Sequence, residues 1–284
     1  KLRDFQDWLA LRIPGAQCFA GVDAAPILEK SWAERSGLGW IGKHTNLIDA
    51  ETGSYFFLAV VLTNLDFSPD EPVHDRCGTC TRCIDVCPTR AIVGPYQLDA
   101  RLCISYLTIE LKGSIPRELR PLIGNHVFGC DDCQEVCPWN RFSRPTREGS
   151  FFPRDGVRDR PLESFLDMSE AEFKHRFAGS AILRAKRRGF LRNVCVAIGN
   201  SGKVDLAEKL LPLLDDAEPL VRGHAVWAYA RLSGASAHSV LEEMRAKEDD
   251  ASVLEELAAA LKSISRNESP GADSRSWSDS PEAS

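Results

Sequence analysis

The sequence predicts a multi-domain protein of the α+β class, built from successive parts along the chain. Helical and strand-like segments alternate over residues 1–70, which indicates an α/β unit. Eight cysteines then lie between Cys77 and Cys137, within a segment assigned to residues 71–145. Residues 146–264 are helical and repetitive, and residues 265–284, rich in Ser, Asp, Pro and Gly, predict a disordered tail.

The first part begins with apolar side chains at helical spacing, which predicts an amphipathic helix over residues 1–14 carrying Leu2, Phe5, Trp8, Leu9 and Ile13. Residues 18–22 are typical of a short strand that ends at Asp23, and a helix is expected from Pro26 to about Ser36. The continuous apolar run over residues 55–62 predicts a buried central strand.

The cysteines follow the spacing C-x-x-C-x-x-C-x-x-x-C-P, by which bacterial dicluster ferredoxins hold 4Fe–4S clusters. In that pattern the cysteine before proline ligates the other cluster. This rule assigns the first cluster to Cys77, Cys80, Cys83 and Cys137. It assigns Cys87, Cys130 and Cys133 to the second cluster, and Cys103, the only cysteine between the two groups, completes that set.

Two other uses of the cysteines fit less well. A disulfide framework suits a short secreted chain, whereas this one has 284 residues and an N-terminus unlike a signal peptide. Structural zinc explains neither the third cysteine of the first loop nor the two Cys-Pro endings. Cys18 and Cys195 lie apart and are expected to be small buried residues. Reduced cysteines in this number favour a cytoplasmic location.

The charge distribution is uneven. The chain carries a formal net charge of −6, and no apolar run reaches the ~18 residues of a membrane-spanning helix. Residues 173–204, by contrast, contain basic residues and no Asp or Glu. This suggests a surface that contacts phosphates of an anionic macromolecule, although a solvated basic face is the ordinary alternative.

The helical part contains segments that resemble one another at intervals of about thirty residues: 191–198, 221–228 and 253–260. They predict stacked helical hairpins of the HEAT type, a scaffold that presents extended binding surfaces. Ser169 and Glu172 form the capping box that opens the preceding helix.

Two features of the first part are candidate functional elements. Asp23 lies where a strand meets a helix, a frequent position for an active-site carboxylate, although an Asp there is more often a helix cap. The glycine-rich stretch 37–46 allows close backbone approach to a ligand, but it matches no phosphate-binding or dinucleotide-binding fingerprint.

Taken together, the motifs from about residue 21 to residue 200 closely resemble those of the epoxyqueuosine reductases. The matching motifs, besides the two cysteine groups, are Asp23-x-x-Pro26-x-Leu-Glu29, Gly37-Leu-Gly-Trp-x-Gly-Lys43, Arg101-x-Cys-Ile-Ser-Tyr-Leu-Thr-Ile-Glu110, Ile123-Gly-Asn125, Gly129-Cys-Asp-Asp-Cys133 and Cys137-Pro-Trp-Asn-Arg141.

The resemblance implies an oxidoreductase that reduces the epoxide of epoxyqueuosine, at the wobble position of tRNA, to queuosine in the last step of its synthesis. It implies a cobalamin that receives electrons from the two clusters, with Asp23 as the proton donor. The first part would then be a partial cobalamin-binding reductase domain, because family members have a sizeable stretch upstream of it.

The same resemblance implies specific contacts. The residues expected at the cobalamin are Asp23, Gly42, Lys43, Asn46, Leu58 and Val61. Those expected at the phosphates of the anticodon stem-loop are Arg184, Lys186, Arg187, Arg188 and Arg192. An external low-potential electron donor and a monomeric state are also expected. The alternatives are a dicluster electron-transfer module without substrate chemistry, and a tRNA-binding scaffold with structural clusters.

Overall fold

The computed structural model describes residues 1–23, 25–153, 157 and 160–266. The chain divides into two compact units. The first comprises Lys1–Cys103 and Cys130–Pro153, and the second comprises Ile104–Gly129 and Arg154–Ser284. This division differs from the boundaries expected from the sequence, because the stretch between Cys103 and Cys130 folds with the helical part. The tail expected over residues 265–284 lies, from residue 267 on, outside the described residues.

The first unit is mixed α+β, with short helices and three pairs of strands among its described residues. Strands β1 and β4 pair antiparallel, as do β2 with β3 and β5 with β6. The helices are α1 (Leu2–Arg12), α2 (Glu29–Arg35), α3 (Arg82–Val86) and α4 (Asp132–Glu135); the strands are β1 (Cys18–Gly21), β2 (Trp40–Ile41), β3 (Leu47–Ile48), β4 (Val60–Thr63), β5 (Ile92–Gly94) and β6 (Gln97–Leu98); and 3₁₀ helices span Ala100–Leu102, Pro138–Phe142 and Gly149–Phe151.

Two expected elements of this unit are shorter and more exposed than the sequence suggests. The strand predicted over residues 55–62 begins only at Val60, and Phe57, at 84% exposure, lies on the surface. An apolar run becomes a central strand only when both of its edges find partners, and β4 pairs with β1 alone in the described part of the sheet. In α1, Leu9 is buried while Phe5 and Trp8 remain about half exposed.

The hairpin of β2 and β3 is the best-buried part of the glycine-rich stretch. Trp40 and Ile48 are each 1% exposed. Trp40 packs edge-on against Trp139, with 5.0 Å between ring centroids. A side chain at Gly39 would overlap the Ile48 carbonyl oxygen, and a Cβ on Gly42 would lie 2.5 Å from Ile48 Cδ1. These glycines therefore allow the hairpin itself to close tightly.

The second unit is helical and contains one continuous apolar core. Its α-helices are α5 (Glu170–Arg176), α6 (Lys186–Asn200), α7 (Pro219–Ser233), α8 (His238–Arg245) and α9 (Ala251–Ser265); a π-helix spans Tyr106–Glu110; and 3₁₀ helices span Arg120–Ile123, Leu162–Phe165, Ala181–Ala185, Val204–Leu206, Glu208–Asp215 and Gly234–Ala237. The three recurring segments lie in α6, α7 and α9, as the repeat pattern predicted. The capping box at α5 is also present, since Ser169 Oγ accepts from Glu172 N and the Glu172 carboxylate accepts from Ser169 N.

Polar side chains of α6 explain why residues 104–129 belong to this unit. The Arg192 guanidinium donates to the carbonyl oxygens of Leu107, Leu111 and Gly113, at 2.7, 2.8 and 2.7 Å. The Asn193 amide donates to the carbonyls of Thr108 and Val127, and Asn200 donates to those of Arg120 and Gly124. Helix α6 thus satisfies backbone acceptors along the whole stretch.

Among the described residues, none of the helices combines the length and the apolar character that crossing a membrane requires.

Candidate iron–sulfur and substrate sites

The eight cysteines of the two motifs all lie in the first unit. Cys83 lies in α3 and Cys133 in α4, while Cys87 directly follows α3. Cys137 precedes the 3₁₀ helix that Pro138 opens, and Cys103 follows the one over Ala100–Leu102. Each Cys-Pro pair therefore places its thiol at the edge of a short turn or helix, where the backbone changes direction.

The electrostatic effects among the thiols fall largely into two groups. Burial raises the pKa of Cys83, and Cys137, Cys77 and Cys80 raise it further because they lie close by. Burial likewise raises the pKa of Cys133 to about 12, and Cys130, Cys103, Cys83 and Cys87 add to that effect. For both thiols, these neighbours are the partners that the ferredoxin rule assigns to the same cluster. The one exception is Cys83, which belongs to the first group and also affects Cys133.

The first group surrounds a cavity. A space of about 210 Å³ is lined by Cys77, Cys80, Cys83 and Cys137, together with Lys43, His44, Ile48, Arg76, Arg82, Pro138, Trp139 and Arg141. Four thiols around one space suit a cluster held by four thiolates, and metal coordination would remove the protons of these thiols. Basic side chains in the lining compensate the negative charge of such a group.

Lys43 lies beside the first cysteine loop. It is only 9% exposed, and Nζ donates to the carbonyl oxygens of Gly78 and Cys80, at 2.7 and 2.9 Å. These hydrogen bonds fix the backbone of the loop, and the expected contact of Lys43 with cobalamin stays a prediction.

Gly42 and Asn46 close the hairpin turn. Gly42 N donates to the Asn46 carbonyl at 2.9 Å, and Asn46 N donates to Nδ1 of His44 at 3.1 Å. Gly42 is buried against Ile48, so its lack of a side chain is explained by internal packing. These contacts explain the motif without a ligand at either residue.

Asp23, Leu58 and Val61 lie near one end of the β1–β4 sheet. Ala20 pairs with Val61 and Gly21 with Val60, so in continuation of this antiparallel register Asp23 and Leu58 extend beyond the same end. Asp23 is exposed and has a φ of 45°, a left-handed conformation that Asp tolerates better than most residues. Since α2 has Leu28 at its N-cap position, the alternative that Asp23 caps this helix is wrong.

His44 and Trp40 are buried polar residues that sequence reasoning missed. His44 is 3% exposed; burial, and then the nearby Lys30 ammonium, lower its pKa to about 4. Burial raises the pKa of Cys77, and the N–H of Trp40 partly offsets this rise. In the described part of the chain neither Trp40 Nε1 nor His44 Nε2 has a hydrogen-bond partner. Both residues belong to the glycine-rich motif, which is the one signal that pointed toward them.

Two of the five arginine and lysine residues expected at tRNA are engaged in the protein interior. Arg192 is fully buried, and burial lowers its pKa to about 10. Arg187 donates to the Met168 carbonyl and forms a largely buried ion pair with Asp216 at 2.6 Å. The expectation that Arg192 contacts tRNA is wrong, because no phosphate can reach a guanidinium enclosed by backbone carbonyls. Arg187 is similarly committed to a protein partner.

The other three basic residues lie at the surface. Lys186 is exposed, and Arg188 is half-buried with its guanidinium 3.9 Å from the Glu218 carboxylate. Arg184 is exposed and forms an ion pair with Glu110 at 2.5 Å. Exposed pairs of this kind exchange easily with other partners because solvent screens them.

The comparisons with known proteins agree with this fold and site. Residues 76–140 match the family described as a 4Fe–4S double cluster binding domain, and residues 180–262 match HEAT repeats. The chain is therefore a two-cluster iron–sulfur protein that continues into HEAT repeats.

Its relatives are more specific. The chain is 52% identical over 215 residues to an epoxyqueuosine reductase of Pseudomonas aeruginosa, covering 75% of this chain and 59% of that protein. It is 48% identical over 210 residues to that of Escherichia coli, covering 74% of this chain and 55% of that protein. A solved epoxyqueuosine reductase with an epoxyqueuosine-modified tRNA-Tyr stem loop has a TM-score of 0.88 and 33% identity, with 93% of this chain and 70% of that one covered.

The chain belongs to the epoxyqueuosine reductase family. It spans less than two thirds of the length of the two curated relatives above, at 59% and 55%. The prediction of the family and of a mixed α+β, two-cluster, HEAT-containing fold is confirmed.

Proposed function

We propose that this chain acts in the reduction of the epoxide of epoxyqueuosine in tRNA, yielding queuosine. The observation that carries the proposal is the cavity lined by four cysteines of a two-cluster motif, in a chain 52% identical to an epoxyqueuosine reductase. The reaction removes the epoxide oxygen as water and therefore needs two electrons and two protons. The cysteine-bound clusters would carry the electrons, Asp23 would donate one proton to the departing oxygen, and solvent would supply the other.

The electron path rests on the cysteines. Cys77, Cys80, Cys83 and Cys137 would hold one 4Fe–4S cluster, and Cys87, Cys103, Cys130 and Cys133 the other. Such clusters, when bound, carry single electrons at low potential, here from an external donor. The chain's own part is to fix the cysteine loops, as the Lys43 ammonium does through Gly78 and Cys80.

The proton would come from Asp23, beside a bound cobalamin at the open end of the β1–β4 sheet. A corrinoid supplies a metal centre that accepts single electrons. Half-buried Leu58 and Val61 offer apolar contact there, while Asp23 is exposed on a loop directly after β1. A related Bacillus subtilis structure, 32% identical, is described with its catalytic aspartate loop swung out of the active site, which supports a loop-borne aspartate as the acid. Gly42 and Asn46 would contribute backbone only.

The tRNA would bind along the second unit. Arg184, Lys186 and Arg188 are the surface cations we assign to phosphates of the anticodon stem-loop. The related structure holding an epoxyqueuosine-modified stem loop supports this class of substrate. We propose a monomer that works in the cytoplasm.

The test is anaerobic turnover of epoxyqueuosine-containing tRNA with reconstituted clusters, added cobalamin and a low-potential reductant. Nucleoside mass spectrometry measures queuosine. Asp23→Ala is expected to lower the rate about 10²–10⁴-fold, the usual contribution of a general acid. The exposed Asp66→Ala serves as the matched control.

Two outcomes contradict the proposal. If Asp23→Ala matches wild type, Asp23 is not the proton donor. If the clusters cycle reversibly but no cobalamin binds and no queuosine forms, the chain is an electron-transfer module. If the protein instead binds tRNA tightly while its clusters do not cycle between oxidation states, it is a tRNA-binding scaffold with structural clusters.

A further inference from the structure

Two buried N–H groups beside the first cysteine group have no hydrogen-bond acceptor in the part of the chain that the structure describes. We propose that Nε1–H of Trp40 and Nε2–H of His44 donate hydrogen bonds to sulfur at the first cluster site, and thereby set its midpoint potential apart from that of the second. This inference rests on the proposed assignment of Cys77, Cys80, Cys83 and Cys137 to one cluster. It does not depend on cobalamin, tRNA or epoxide reduction.

The tautomer of His44 follows from its contacts. Asn46 N donates to Nδ1 at 3.1 Å, so Nδ1 carries the lone pair and the proton of the neutral ring is on Nε2. His44 is 3% exposed and lines the cavity of the four thiols. Its Nε2 is buried and has no partner among the described residues. A donor in this position is shielded from bulk solvent and finds no acceptor within the described ranges of the chain.

Trp40 provides the second donor. It is 1% exposed, and its ring is fixed edge-on against Trp139, which also lines the cavity. Nε1–H is buried and meets hydrogen-bond geometry with no atom of the described chain, while Trp139, against which the ring packs, lines the cavity together with the four thiols. An indole nitrogen can only donate, so a sulfur at this cavity is the acceptor that we assign to it.

Buried polar groups without partners are rare in folded proteins, and two around one site need a common explanation. A cluster supplies it, because its cysteine and inorganic sulfurs are acceptors and carry negative charge. At the second group, Cys87 Sγ accepts from the backbone N–H of Ala91 at 3.2 Å, a contact that side-chain substitution leaves unchanged.

The consequence is a difference in potential. Hydrogen bonds to cluster sulfur stabilise the more negative, reduced state more than the oxidised one, and so raise the reduction potential. Removing a side-chain donor at the first site therefore lowers the potential of that cluster alone. We expect at least a tenfold shift in the one-electron reduction equilibrium, equivalent to about 59 mV.

The experiment is a redox titration of the reconstituted full chain, followed by electron paramagnetic resonance. Trp40→Phe and His44→Phe remove one donor each while keeping an aromatic ring. Their matched controls are Trp32→Phe and His238→Phe, which make the same changes at exposed positions. Each test variant should contain as much iron and sulfide as wild type. We expect it to lower the midpoint potential of one cluster and to leave that of the other cluster unchanged. The control variants should change neither potential.

Fully loaded test variants that shift neither potential, or shift both equally, overturn the inference. Should a variant fail to load, the wild-type protein still decides. With ¹⁵N-labelled tryptophan, electron–nuclear double resonance on the reduced clusters should detect a coupled ¹⁵N–H that persists in Trp139→Phe. Absence of that coupling overturns the role of Trp40, and ¹⁵N-histidine tests His44 in the same way. Loss of the first cluster in Cys77→Ala tests the underlying assignment separately.

Discussion

Replacing Arg192 by methionine tests how residues 104–129 are held. Arg192 is fully buried in α6, and its guanidinium donates to three carbonyls of this stretch. Methionine has a similar length and fills the same space without donors. The variant therefore removes the donor of the buried Leu107 carbonyl oxygen and of the part-buried carbonyl oxygens of Leu111 and Gly113, while the packing of α6 changes little.

The magnitude follows from two opposing effects. A buried acceptor that loses its partner costs roughly 1–3 kcal/mol, and a part-buried one that water can reach lies at the lower end of this range, so the three together cost roughly 3–5 kcal/mol. Against this, a buried charge is removed. Burial lowers the pKa of Arg192 from 12.5 to about 10, a desolvation cost of about 3 kcal/mol that methionine does not carry. We expect a net destabilisation of about 1–2 kcal/mol, or a fall of ~2–8 °C in melting temperature.

Hydrogen exchange measured by mass spectrometry is the appropriate assay, because it localises the effect. Peptides from residues 104–129 should exchange faster in Arg192→Met, whereas those from α9 should change less. Arg188→Met, on the same helix but half-buried, is the matched control and should stay within ~0.5 kcal/mol of wild type. Equal protection of residues 104–129 in Arg192→Met and wild type would refute the reasoning.

Further predictions concern ligands, tRNA and pH. Cys103→Ala should retain about four of eight irons, whereas Cys195→Ala, at a buried position outside the motifs, should retain all eight; eight irons in Cys103→Ala would exclude Cys103 as a ligand. Lys186→Gln should reduce the slope of log affinity for a tRNA stem-loop against log salt by about 0.7–0.9, and an unchanged slope would remove Lys186 from the interface. The ion pair with Arg187 lowers the pKa of Asp216 in the folded protein. The stabilisation that this ion pair contributes is therefore present above pH ~3.9 and is lost as the pH falls through the lowered pKa of Asp216. Asp216→Asn should therefore destabilise at pH 7 by about 3 kcal/mol and much less near pH 2, measured by urea unfolding of the second unit; equal losses at both pH values would contradict this.

The parts of the fold that the sequence predicted well depend on local pattern. The Cys-Pro spacing is fixed by the shape of a cluster loop, and the capping box at Ser169 needs only four consecutive residues. The repeats in α6, α7 and α9 are recognisable because each presents the same apolar face. Such features depend on short stretches of chain, so they can be recognised without knowledge of tertiary contacts.

The failures depend on contacts between distant residues. Arg192 and Lys186 are both basic residues of the same segment, and the sequence does not distinguish them. In the structure, Arg192 is buried and donates to carbonyl oxygens more than 75 residues away in sequence, whereas Lys186 is exposed. The Lys43 ammonium donates to the carbonyl oxygens of Gly78 and Cys80, a contact that the glycine-rich motif alone does not indicate. Trp40 and His44 are buried and would pass for ordinary core residues. What distinguishes them from such residues is that Trp40 Nε1 and His44 Nε2 have no hydrogen-bond partner among the described residues.

The dependence of residues 104–129 on α6 has a consequence for the order of events during synthesis. The stretch lies between Cys103 and Cys130 in the chain, but Arg192, Asn193 and Asn200 are translated later. At ~5–20 residues per second, roughly 4–14 s separate the appearance of residue 129 from that of residue 200. During this interval the carbonyls that α6 will bind are open to water. We expect residues 104–129 to acquire their final conformation only after α6 has folded, so that this early-translated part of the second unit is completed by a helix made later.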